Sequence, residues 1–132
     1  MKKCVFITGT NCSGKSSLAW AIITRYGGVD RITNDVSYCK EGIICFAGRY
    51  GETRYGGVDR ITNDKGSSCT SRLAEVVEEG LKHRDIIICE GSFLDTFGMN
   101  LMNALFKAEQ QYVISLYADN LTIFNRLGNR SN

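Results

Sequence analysis

Residues Gly9-Thr10-Asn11-Cys12-Ser13-Gly14-Lys15-Ser16 lie between a short apolar run, Cys4 to Thr8, and a helical pattern, Lys15 to Arg25. No other stretch of this chain constrains the fold as tightly. Glycines at both ends let the main chain curl into a cradle of N–H groups that a Cβ would obstruct, and the helix N-terminus behind it adds positive dipole. This spacing arises by chance in only about one chain in a few hundred of this size. It reads as a seat for a nucleoside triphosphate: Gly9, Thr10, Asn11, Cys12, Ser13 and Gly14 supply the cradle. Lys15 reaches the β- and γ-phosphates as a point charge, and Ser16, with Ser17 beside it, offers a hydroxyl to Mg²⁺.

The rest of the chain alternates strand-like and helix-like segments. Cys4 to Thr8, Ile43 to Ala47, Ile86 to Cys89 and Val113 to Tyr117 read as buried strands, with a short strand near Val36 to Cys39 turning back through Lys40-Glu41-Gly42. Helices are expected over Lys15 to Arg25 and from Ser67 or Ser68 through Arg84, the latter with Leu73, Val76, Val77 and Leu81 on one face. Two more are expected at Met99 to Ala108 and Asp119 to Leu127. Apolar strands without alternation, each followed by a helix, indicate a parallel sheet covered on both faces, with ligands at the carboxyl edge of its strands. The 132 residues form one domain, 1–132. No apolar run approaches the roughly 20 residues that cross a bilayer. A net charge of +2 is too mild to announce a nucleic-acid binder. Six cysteines without a Cys-x-x-Cys pair, and one histidine, argue against zinc and for a reduced, cytoplasmic protein with no membrane partner.

Thr24 to Asp35 and Thr53 to Asp64 are the same twelve residues. Chance does not produce this. Two copies cannot make a solenoid, and a recent duplication or an error of assembly explains them better than two working copies.

Glu90 ends the third expected strand, at the edge where the phosphates sit, and there it can hold a metal-bound water or orient an acceptor hydroxyl. Arg126 and Arg130 belong to the segment that follows the fourth expected strand and its helix; arginines four apart on a helix project from the same side, and there they can neutralise charge on a transferring phosphoryl group. The acceptor is expected between the second strand and the following helix. In that stretch Arg49 can pair with phosphate, Tyr50 and Tyr55 can stack on a base, and Asp59 can take a proton from an attacking hydroxyl. Phe93 and Phe97 can line the same pocket.

In the Gly9 to Ser16 loop, the apolar strand ending Glu90-Gly91 and the Arg126-Leu127-Gly128-Asn129-Arg130 segment, the chain resembles the phosphate-loop kinase superfamily of nucleoside, nucleotide and shikimate-type kinases. The resemblance implies a three-layer α/β/α arrangement with a parallel sheet of order 2-3-1-4, counted over the four expected strands. It also implies transfer of the γ-phosphoryl group of Mg-ATP to a small acceptor such as a nucleoside or nucleotide. Such kinases continue past the arginine-rich segment into a fifth strand, so a truncated or abbreviated member is expected. The loop rich in glycine, tyrosine and aspartate also resembles small viral phosphate-loop kinases thought to act on hydroxymethylpyrimidines in DNA. A nucleotide-binding regulator that has lost transfer is the alternative outside catalysis.

Overall fold

The computed structural model describes residues 1–9, 14–51, 57, 58, 61, 70–91 and 98–116. Six strands and three helices follow one another in these residues. They are β1 (Lys3–Thr8), α1 (Lys15–Arg25), β2 (Val29–Thr33), β3 (Val36–Cys39), β4 (Ile44–Ala47), α2 (Leu73–His83), β5 (Ile86–Glu90), α3 (Gly98–Leu105) and β6 (Gln110–Ser115), with a 3₁₀ turn at Thr70–Arg72 before α2.

The strands form one sheet in the order β2-β3-β4-β5-β1-β6. The expectation of a parallel sheet of order 2-3-1-4 is overturned. The sheet is mixed, because β2 pairs antiparallel with β3 and β3 antiparallel with β4, while β4–β5, β5–β1 and β1–β6 are parallel. Connection length is the physical reason. Asn34 and Asp35 alone join β2 to β3, and the turn from Lys40 to Ile43 joins β3 to β4. A parallel crossover takes a dozen residues or more, so these strands can only fold back. β2 itself was not expected at all, since Val29 and Ile32 are the only strong apolar residues in a stretch of charge and glycine.

The helices divide the core in two. On one face α1 places Ala19 and Ile23 against Ile7, Ile44, Phe46, Tyr50 and Ile88. On the other, Leu73, Val76, Val77 and Leu81 of α2, with Ala104 of α3, pack on Cys4, Phe6, Val36, Cys45, Ile87 and Cys89. The 3.6-residue spacing of the α2 set turns it to one side, and all four are 6% exposed or less. That helix begins at Leu73 rather than near Ser68, and no side chain caps it. The last expected helix, Asp119 to Leu127, lies outside the described residues. No helix among the described residues is long and apolar enough to cross a membrane.

Candidate functional site

Parallel pairing of β4, β5, β1 and β6 brings their carboxyl ends to one edge. β1 ends there and passes to Gly9. Glu90 closes β5, in register with Ile7, and the Gly91 N–H donates to the Ile7 carbonyl at 3.2 Å. β4 leads into Gly48 and Arg49, and the reversed β3 begins at the same edge, so the Asn34-Asp35 turn arrives there too.

Gly14 opens α1 with φ 100°, a left-handed conformation that favours glycine, and its carbonyl accepts the first helical hydrogen bond from Leu18 N–H at 2.9 Å. Lys15 is the first helical residue. Its ammonium folds back to donate to the Gly9 carbonyl at 2.9 Å, and the residue is only 8% exposed. This contact ties the head of α1 to the end of β1. An incoming phosphate would offer a stronger, charged acceptor. Ser16 is half-buried and Ser17 exposed.

Glu90 is 3% exposed and accepts a hydrogen bond from the Tyr50 hydroxyl at 2.8 Å. Tyr50 is itself fully buried, its ring edge-on to Phe46 and to Trp20 of α1. A tyrosine so enclosed does not present a face on which a base could stack; its polar end serves the carboxylate. Gly57 closes over the same group. A Cβ there would come within 2.6 Å of Glu90 Oε1, and the φ of 96° again favours glycine. One on Gly48 would overlap the Gly57 carbonyl, so the two glycines let these segments stack closely on the end of β5.

Arg49, expected to meet an acceptor anion, reaches this edge as one of a pair. Its Nε donates to Asp35 Oδ1 at 2.8 Å, and Arg72 Nη1 donates to Asp35 Oδ2 at 2.8 Å. Asp35 is 5% exposed, whereas the arginine side chains keep 41% and 32% of their surface. Burial by itself pushes the Asp35 carboxyl up, but the hydrogen bonds and charges of both arginines outweigh it and hold the carboxyl below its ordinary value. Asp35 therefore stays ionised and orients two guanidinium groups at the carboxyl edge. Neither Asp35 nor Arg72 was picked out from the sequence. The Asn-Asp pair did carry a turn signal, but nothing local marks an arginine whose partner lies in a different element.

The structure thus brings Gly9, Gly14, Lys15, Ser16, Ser17, Arg49, Tyr50 and Glu90 to one edge of the sheet. Thr10, Asn11, Cys12, Ser13, Tyr55, Asp59, Phe93, Phe97, Arg126 and Arg130 lie outside the described residues. Comparison of the chain with protein-family models, with curated proteins and with solved structures finds no match.

Proposed function

We propose that the protein binds Mg-ATP and transfers its γ-phosphoryl group to a small acceptor, a nucleoside or nucleotide. The observation that carries this reading is the arrangement of Lys15. Its ammonium sits on the Gly9 carbonyl at 2.9 Å, at the head of α1 and at the same sheet edge as the buried Glu90. Cation, helix N-terminus and carboxylate then lie at one edge of the sheet. In-line phosphoryl transfer asks little covalent chemistry of a protein and depends mainly on positioning and charge. The bond from phosphorus to the bridging oxygen of ADP breaks as the acceptor oxygen bonds to phosphorus. Lys15 offsets the charge that builds on the phosphate oxygens, and Glu90 orients the acceptor hydroxyl and takes its proton as that oxygen bonds to phosphorus.

Magnesium fits the residues present. Among the described residues no three His, Cys, Asp or Glu side chains come together to hold a metal ion, so a cage made wholly of protein is not offered. Mg²⁺ bound through phosphate and water needs only one or two protein oxygens. The Ser16 hydroxyl and the Glu90 carboxylate would serve, and the ion would neutralise phosphate charge. Arg49 and Arg72 give the acceptor side a positive rim, which favours an acceptor bearing phosphate. Four buried cysteines, Cys4, Cys39, Cys45 and Cys89, stay unpaired, which suits the reducing cytoplasm where we place the reaction.

ADP formation measured with and without nucleosides, nucleotides and hydroxymethylpyrimidine DNA tests the proposal. Turnover that depends on a nucleoside or nucleotide supports it. Dependence on the modified DNA moves the acceptor to nucleic acid, and binding of Mg-ATP without acceptor-dependent turnover leaves a non-catalytic regulator. Lys15→Ala is expected to abolish Mg-ATP binding in calorimetry, and unchanged affinity would refute the phosphate seat. Glu90→Gln should keep ATP binding and lose about 10²-fold in transfer.

A further inference from the structure

We infer that Tyr50 is the positioning residue for Glu90, and that its hydroxyl fixes the carboxylate in the orientation that transfer requires. The inference rests on the role proposed for Glu90 above. It starts from how completely Tyr50 is held. Its N–H donates to Ser37 Oγ at 2.9 Å, and Ser37 Oγ donates to the Gly48 carbonyl at 2.7 Å, which ties the residue to β3. Its ring meets Phe46 of β4 at 5.1 Å and Trp20 of α1 at 5.7 Å, both edge-on. Strand, strand and helix therefore agree on where the phenol points, and it points at Glu90 Oε1, 2.8 Å away.

A carboxylate has a soft terminal torsion, and each contact that fixes one of its oxygens narrows it. Here Tyr50 holds Oε1 from one direction while Gly57 leaves room for no more than a hydrogen atom beside the same oxygen. Both constraints bear on the same oxygen, Oε1. Misplacing a reacting group by about 1 Å can cost up to 10²-fold in rate, so a hydroxyl that removes that freedom acts on turnover without touching substrate. A further consequence is mechanical. Arg49, on the positive rim, and Tyr50 are consecutive residues, so the acceptor side and the carboxylate share one short piece of backbone.

Tyr50→Phe isolates the hydroxyl, because the ring and its packing remain. The expected result is a fall in kcat of about tenfold with KM for ATP and for acceptor unchanged. The same substitution should have no further effect in a Glu90→Gln background, since a residue acting through Glu90 has nothing left to position. Equal losses in the two backgrounds would overturn the inference. So would a raised acceptor KM at constant kcat, which is the signature of direct contact with the acceptor. Wild-type turnover matched by Tyr50→Phe overturns the role of Tyr50 alone, whereas a wild-type protein with no acceptor-dependent turnover overturns the phosphotransferase reading together with it.

Discussion

Asp35 links charge to stability at a single side chain. Its carboxyl is held below the ordinary value of 3.8 by Arg49 and Arg72. A depressed folded value means that its contribution is complete above the unfolded value and is lost as pH falls through the folded one. Asp35→Asn should therefore cost about 1–3 kcal/mol at pH 7. In urea unfolding the gap from wild type should narrow steadily once pH drops below about 4. Gly57 makes a second case. A methyl group at this position meets both Glu90 Oε1 at 2.6 Å and the Glu90 carbonyl oxygen at 2.7 Å, and the backbone oxygen cannot step aside. Gly57→Ala should destabilise by about 1–3 kcal/mol and slow transfer, checked by denaturation and steady-state kinetics on one preparation. Lys15 and Glu90 were legible because glycine spacing and a strand-ending acid are local signs. Asp35 and Arg72 were not, because a part-buried ion pair 37 residues apart leaves no pattern along the chain. Tyr50 was read as a base-stacking ring, since its hydroxyl partner stands 40 residues away.

The twelve duplicated residues show at the level of elements how far context overrides sequence. In the first copy Val29 and Ile32 lie in β2, paired with β3. At the matching positions of the second, Val58 and Ile61 are 1% and 0% exposed, and the Ile61 N–H donates to the Val58 carbonyl at 3.2 Å, which makes a turn. Identical letters thus pair as an edge strand in one place and plug the core in another, because neighbours rather than propensity decide. The mixed sheet was legible only in part, because the turn at Lys40-Glu41-Gly42 marked the β3–β4 reversal while nothing marked β2 or the mixed character of the sheet as a whole. Unbroken apolar strands mark burial on both faces, not direction, and only the short connections betray the reversal of β3. The periodic face of α2 was legible throughout, but its one glycine was not. Gly80 lets the helix lie close to the sheet, and a Cβ there would meet Ile87 Cδ1 at 2.7 Å and Cys45 Sγ at 2.9 Å. Alanine gains about 1 kcal/mol of helix propensity, yet both neighbours are fully buried with nowhere to go. Overpacking should win. Gly80→Ala is expected to lower stability by about 1–2 kcal/mol in chemical denaturation.

For the molecule as a whole, the thiols offer a readout of global opening. Cys4, Cys39, Cys45 and Cys89 are 1% exposed or less, and burial pushes the Cys45 thiol up to about 12. In a Cys12→Ser/Cys69→Ser background, a thiol reagent at pH 8 should modify these four only as fast as the protein unfolds, so denaturant should accelerate labelling in step with lost structure. Prompt reaction of any of them in the native state would show that the core opens locally. The two-faced core was within reach of the sequence, because apolar strands and the α2 stripe are periodic features. The choice of neighbours was harder, since it depends on encounters far along the chain. β1 illustrates this, with Lys3 aligned to Ile86 on one side and to Gln110 on the other. Hairpins such as β2–β3–β4 close short loops and are expected to form early, whereas a strand flanked by such remote partners is expected to dock late. Lys15 is fastened to the end of that strand through its bond to the Gly9 carbonyl. On the proposed function, a chain emerging from synthesis should gain affinity for nucleotide only in its last step of assembly, which would make the nucleotide a reporter of completed folding.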